Sequence, residues 1–136
     1  MKVFAVIDTN VLVSALLKPG SIPDLVMQET MGGRIIPVIN KDIVYEYKSV
    51  LHRAKFGFDG AKVKFVLDEI TKRAIFCDAM VIEDSLPDPK DAVFYAVTME
   101  KRTSDDAYLV TGNLRHFPEE PFIVTPREMI EILLSK

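Results

Sequence analysis

Near the start of the chain stands Val3-Phe4-Ala5-Val6-Ile7-Asp8-Thr9-Asn10, an apolar run that leads directly into three polar residues. Its five apolar residues, mostly β-branched or aromatic, predict a strand buried on both faces, as in a parallel sheet. The next residues, 11–17, have a helical pattern that ends at Lys18-Pro19-Gly20. Asp8 is therefore expected at the carboxyl end of a strand, where open α/β sheets bind ligands. Because all three polar residues are good helix caps, this stretch alone leaves capping and function open.

Length and composition predict a single domain, residues 1–136. The chain is 49% hydrophobic, which is enough for one substantial core. It has no apolar run of the roughly 18 residues that a membrane span needs, and the run before Asp8 is too short for a signal peptide. The one cysteine, Cys77, is expected to be a small core side chain, since it cannot form an internal disulfide. These features predict a soluble protein of the reducing cytoplasm.

The net charge of −3, from 17 basic and 20 acidic residues, lacks the basic excess of a typical nucleic-acid binder. Contacts with a nucleic acid would therefore need a local basic patch, or a metal ion held by carboxylates.

Strands and helices are predicted to alternate through the rest of the chain. Helices are expected at 22–31, 41–51 and 61–73, from 91 onward and from 125 onward, and strands at 34–39, 74–82, 107–111 and 122–124. Pro37 favours an edge position or a strand end for the second strand. Residues 83–90 are predicted to be a loop because they are rich in turn-forming residues. The predicted fold is a three-layer α/β/α sandwich with a mainly parallel central sheet.

Four places combine polar side chains with buried elements. They hold Asp8, Glu46, the pair Asp88 and Asp91, and Asn113. Strand ends and helix starts of a parallel sheet share one edge, so we expect these side chains to converge there. Carboxylates brought together repel one another unless a cation lies between them, and an all-oxygen set suits Mg²⁺ or Mn²⁺.

Each of these residues also has a simpler explanation. Asp91 could only favour the start of a helix, Asp88 could only shape a turn, Glu46 could be solvated, and Asn113 could only accommodate a turn after Gly112. His52 and His116 lack the paired spacing of a zinc site. No dinucleotide, NTP or esterase motif is present. The acids therefore favour a metal site only as a set.

Four segments together resemble the PIN-domain family over essentially the whole chain, and most closely its small prokaryotic members described as toxins of type II toxin–antitoxin pairs. These segments are 7–15, with Ile7-Asp8-Thr9-Asn10, 43–47 around Glu46, 88–96, with Asp88-Pro89-Lys90-Asp91, and 108–117, with Thr111-Gly112-Asn113. Their order and spacing are more specific than any one of them.

The resemblance implies a Mg²⁺- or Mn²⁺-dependent endoribonuclease that hydrolyses RNA with a metal-activated water. Its principal acids would be Asp8, Glu46 and Asp91, bound to the metal directly or through water. The polar residues that hold them would be Thr9, Asn10, Ser14 and Thr111. Many members of the family carry a fourth acid where this chain has Asn113, a departure that weakens a second metal site. Asn113 could still offer a carbonyl oxygen, and Asp88 is a further candidate ligand.

The resemblance also implies partners. Such proteins usually form homodimers and are inhibited by an antitoxin, and no membrane is involved. The basic residues nearest the motifs, which could contact the RNA backbone, are Lys48, Arg53, Lys55 and Arg115. One alternative is a catalytically weak PIN-like module that binds RNA or protein. A phosphatase-like or receiver-like domain is disfavoured, because Asn10 stands where a haloacid-type phosphatase would carry a second aspartate.

Overall fold

The structure, a computed structural model, describes residues 2–82 and 86–136. In this part of the chain the strands are β1 Val3–Ile7, β2 Ile35–Ile39, β3 Ile75–Phe76, β4 Ala107–Val110 and β5 Ile123–Val124. The helices are α1 Thr9–Leu17, α2 Ile22–Met31, α3 Lys41–Leu51, α4 Gly60–Arg73, α5 Ala92–Arg102 and α6 Pro126–Ser135. Short 3-10 turns occupy Ala54–Phe56, Pro89–Asp91 and Leu114–His116. The first three residues of the loop predicted at 83–90 lie outside the described residues.

All five strands of the described sheet are parallel, in the order β3-β2-β1-β4-β5. The sheet forms the middle layer of a three-layer α/β/α sandwich, so the predicted fold class is confirmed. In β1, consecutive residues such as Ala5 and Val6 are fully buried, which requires cover on both faces of the sheet. The central position of β1 places Asp8 beside the end of β4, because Ile7 pairs with Val110.

The expectation for Pro37 was wrong, because β2 is an internal strand with neighbours on both sides. The register explains why proline is tolerated there. β2 pairs with β3 only through Val38 and Ile39, so Pro37 comes before the shared stretch and no ladder bond with β3 depends on its missing N–H.

The strand predicted at 74–82 is reduced to Ile75–Phe76. Its partner β2 ends at Ile39, whose carbonyl accepts the last bond of the pair from the Cys77 N–H. Further along, the Met80 N–H instead donates to the Ala96 carbonyl of α5. The apolar composition of residues 74–82 therefore predicted too long a strand. Cys77 itself is only partly buried against the core.

Side-chain caps define the starts of α3 and α6. The Asn40 side chain accepts the Ile43 N–H at the start of α3, and Thr125 and Glu128 form a reciprocal capping box at the start of α6. No helix among the described residues is long and apolar enough to cross a membrane.

Candidate metal centre

Asp8 occupies the N-cap position of α1, but its side chain makes no capping hydrogen bond. Its Oδ2 instead accepts bonds from Thr111 Oγ1 at 2.9 Å and from Asn10 Nδ2 at 3.3 Å. The residue is 5% exposed. Capping therefore does not explain Asp8, whose carboxylate is oriented by a residue that follows β4.

The loop after β4 is tied to the start of α1 by two further bonds. Thr111 Oγ1 accepts the Asn113 N–H at 3.0 Å while it donates to Asp8. Asn10 Oδ1 accepts the Gly112 N–H, also at 3.0 Å. Asn10 and Thr111, two of the predicted supporting residues, thus bind Asp8 directly. Their bonds also join the end of β1 to the end of β4.

The other two predicted supporting residues are placed differently. Thr9 is buried, and its hydroxyl has no hydrogen-bond partner among the described residues. Ser14 is exposed and borders a surface cavity of about 260 Å³ together with Asn10 and Asn113. In the described part of the chain, no side-chain hydrogen bond joins Ser14 to an aspartate or a glutamate.

Asp91 stands at the N-cap position of α5, and it also makes no side-chain capping bond. The residue is 9% exposed, and its buried Oδ2 has no partner with hydrogen-bond geometry. Burial raises the pKa of this carboxyl, His116 opposes the increase, and the charges of Asp88 and Glu46 add to it. An unsatisfied buried carboxylate oxygen is costly and calls for a donor or a cation.

Burial also raises the pKa of Asp8, to about 6. The hydrogen bond from Thr111 opposes this shift, and the charge of Asp91 adds to it. Asp91 is thus close enough for its charge to disfavour ionisation of Asp8, as expected for carboxylates without a counter-ion.

Glu46 and Asp88 both act on Asp91 through their negative charges. Glu46 is half-buried on α3, and it influences the pKa of Asp91 through its charge. Asp88 accepts the Lys90 N–H at 3.0 Å, so its simpler role in the 3-10 turn is present. Asn113 faces His116, and its side chain forms no hydrogen bond with Asp8 or Asp91.

Sequence reasoning missed His116 and Tyr47. His116 Nδ1 lies 3.0 Å from Asp91 Oδ2, although a histidine without a paired ligand gave no indication of this. Tyr47 is buried, donates its hydroxyl proton to the Ile7 carbonyl, and feels the charge of Asp8, which together with burial raises its pKa. The helical pattern of the sequence predicts that Tyr47 lies on a buried face next to Glu46. It does not predict that the hydroxyl reaches the end of β1, because that contact is between residues far apart in the chain.

The four candidate RNA-contacting residues are all exposed, and no ion pair engages any of them within 2–82 and 86–136. They are Lys48, Arg53, Lys55 and Arg115. Their positive charges are thus available to an external anion, which is compatible with either solvation or phosphate contact.

The donor set fits a hard divalent cation. Asp8 and Asp91 supply buried carboxylate oxygens, one without a hydrogen bond, and Mg²⁺ typically takes one or two carboxylates and keeps several waters. Among the described residues, however, no three His, Cys, Asp or Glu side chains converge tightly enough to bind one ion. Glu46 would therefore bind the ion through a water molecule. The resemblance implied that each acid binds the metal either directly or through water.

Comparisons with known proteins agree with the fold. A family model described as "PIN domain" matches residues 5–115. The crystal structure of PAE2754 from Pyrobaculum aerophilum is similar, with a TM-score of 0.60 and 13% sequence identity, over 98% of this chain and 91% of that one. At this identity the likeness supports the fold alone. No protein with curated function matches the chain significantly.

Proposed function

Because the chain belongs to the PIN-domain family, whose members are generally nucleases that use divalent metals, we propose that it is a metal-dependent endoribonuclease. Its reaction would be hydrolysis of an RNA phosphodiester bond with Mg²⁺ or Mn²⁺. The proposal takes the enzyme to be the cytoplasmic toxin of a toxin–antitoxin pair.

The observation that carries the proposal is the pair of buried carboxylates at the carboxyl edge of the sheet. Asp8 and Asp91 are each kept from solvent, burial raises the pKa of both carboxyls, and the charge of Asp91 adds to the shift of Asp8. Neither side chain is used as a helix cap. A fold gains nothing from such a pair unless a cation completes it, so the pair is better explained by function than by stability.

In the proposed mechanism, Asp8 and Asp91 would hold the cation, and Glu46 would bind it through water. Thr111 and Asn10 keep the Asp8 carboxylate in one orientation through their bonds to Oδ2. A bound Mg²⁺ or Mn²⁺ would lower the pKa of an attacking water and neutralise charge on the phosphate. Exposed basic residues such as Arg115 would contact neighbouring phosphates.

Cleavage of a labelled single-stranded RNA in Mn²⁺ tests the proposal. We expect cleavage by the unmodified protein, its loss in EDTA, and a decrease of roughly 100-fold or more with Asp8→Asn, because one of few cation ligands loses its charge. Asp106→Asn, which changes an exposed aspartate, is the matched control and should cleave normally. Equal cleavage by the unmodified protein and Asp8→Asn would reject the assignment.

A second candidate is a binding module that recognises RNA or protein without cleaving it. Asn113, where many PIN domains carry an acid, favours this alternative, as does the absence of three converging acidic or histidine ligands in the described residues. RNA binding measured by fluorescence polarisation separates the two. Tight binding that persists in EDTA, without cleavage of several unrelated RNAs in Mn²⁺, would favour the module.

The toxin role requires partners, and two exposed apolar side chains support it. Leu17 on α1 is 56% exposed and Tyr45 on α3 is 72% exposed. We propose that these residues contact an antitoxin or a second copy of the chain.

A growth experiment tests the toxin role. Induced expression of the unmodified protein should arrest growth, expression of Asp8→Asn should not, and co-expression of a cognate antitoxin should restore growth. Light scattering of the purified protein reports the proposed homodimer.

A further inference from the structure

The imidazole of His116 lies between two polar side chains of the candidate site. Its Nδ1 is 3.0 Å from Asp91 Oδ2, and Asn113 Nδ2 lies 2.9 Å from its Nε2 and 3.4 Å from its Nδ1. We assign the Asn113 amide nitrogen as the donor to Nε2, the nearer of the two ring nitrogens, and with this assignment the proton of a neutral imidazole is on Nδ1. That proton lies on the side of Asp91. Asp91 Oδ2, the buried oxygen without a hydrogen-bond partner, therefore has the Nδ1 donor as a neighbour at 3.0 Å.

Short-range bonds hold the segment that carries His116. The Asn113 N–H donates to Thr111 Oγ1, and the His116 N–H donates to the Asn113 carbonyl at 3.1 Å. Thr111 in turn donates to Asp8. One loop thus reaches both buried aspartates, Asp8 through Thr111 and Asp91 through His116.

We infer that His116 is a positioning residue that orients the Asp91 carboxylate for the cation, and that Asn113 fixes the imidazole instead of binding metal. The inference rests on the proposed function. It accounts for Asn113, whose amide is directed at the imidazole where many family members carry an acid. A carboxylate oriented by a neighbouring N–H loses less freedom on binding a cation, and such partners typically change metal affinity by about 10- to 100-fold.

Titration calorimetry with Mn²⁺ alone, on the purified full chain, tests this role. We expect His116→Leu to bind Mn²⁺ about tenfold or more weakly, because Asp91 loses its orienting donor. His116→Asn should restore the affinity to within about threefold, since the asparagine Nδ2 occupies the position of the imidazole Nδ1. His52→Leu is the matched control, because His52 is an exposed histidine bonded to the Lys48 carbonyl of its own helix. It should bind normally.

Circular dichroism and melting in EDTA establish that each variant is folded, and RNA cleavage in Mn²⁺ should follow the same order as affinity. If His116→Leu does not fold, Asn113→Ala removes only the amide that holds Nε2 and should also weaken binding. Normal Mn²⁺ affinity in His116→Leu, or no recovery in His116→Asn, overturns the inference. Absence of Mn²⁺ binding and RNA cleavage in the unmodified protein overturns the proposed function instead, together with the inference that rests on it.

Discussion

At the scale of single residues, Asp8 shows that a cap position does not define the role of the residue in it. Its backbone lies where a helix cap is expected, yet its carboxylate faces Thr111 and Asn10. The cost of this arrangement is a buried charge, which is visible in a pKa raised from 3.8 to about 6. If the Asp8 carboxylate destabilises the metal-free fold, replacing this residue should raise the free energy of unfolding.

Asp8→Asn is therefore expected to stabilise the metal-free protein at pH 7.5, by about 1–3 kcal/mol. Between pH 3.8 and about 6 the native state binds a proton that the unfolded chain has released, so the free energy of unfolding falls as pH rises through this window. Urea denaturation in EDTA at pH 4 and pH 7.5 measures the difference, which should be small at the lower pH. Exposed Asp106→Asn is the control. A less stable Asp8→Asn at pH 7.5 would show that the carboxylate contributes to folding.

At the scale of elements, the hydroxyl of Tyr47 connects α3 to the end of β1 by its bond to the Ile7 carbonyl. This carbonyl ends the strand whose next residue is Asp8, so the bond joins the helix that carries Glu46 to the strand that precedes Asp8. Tyr47 is 2% exposed and packs beside Phe94 of α5, with ring centroids 6.2 Å apart. This polar contact joins helix α3 to the sheet inside an apolar interface.

Tyr47→Phe should lower the free energy of unfolding by about 1–2 kcal/mol, because the buried Ile7 carbonyl loses its donor while the ring remains. Tyr45→Phe on the same helix is the matched control, since Tyr45 is 72% exposed, and it should change stability by less than about 0.5 kcal/mol. Urea denaturation of both variants measures the effect. Equal stabilities would mean that packing alone positions α3.

The start of α6 offers a second element-scale prediction. Thr125 Oγ1 accepts the Glu128 N–H at 3.1 Å, and Glu128 Oε1 accepts the Thr125 N–H at 2.9 Å. Thr125→Ala should cost about 1 kcal/mol, and Thr125→Ser should retain most of that stability, because serine keeps the accepting oxygen. Thermal melts of the three proteins compare them. Similar melting of the alanine and serine variants would show that packing of α6 suffices.

At the scale of the whole molecule, the candidate site depends on strands and helices that are distant in the sequence. Asp8 follows β1, Thr111 follows β4, Asp91 precedes α5 and Glu46 lies on α3. A cation bound among them would connect these elements in the native state alone. Binding would then be a source of global stability.

Mn²⁺ should therefore raise the free energy of unfolding of the whole chain, by about 2.7 kcal/mol at a concentration 100 times the dissociation constant. The increase should be largely lost in Asp8→Asn and retained in Asp106→Asn. Thermal unfolding over a Mn²⁺ titration measures it. The same increase in Asp8→Asn would show that the cation binds elsewhere.

The sequence by itself determined the α/β class, most element boundaries and the segments that carry the acids. These features depend on local patterns, namely a short buried strand before Asp8, helical spacing in α3 and cap residues such as Asn40 and Thr125. Such patterns act over one or two turns of chain, so they can be read without knowing the fold.

The tertiary structure alone decided which strand became internal, where β3 stopped and which side chains face one another. Pro37 is tolerated inside the sheet because of its register, and β3 is short because β2 ends at Ile39. The contact between His116 and Asp91 joins a 3-10 turn after β4 to the start of α5. Pairings of this kind depend on how distant elements pack, and no local periodicity carries that information.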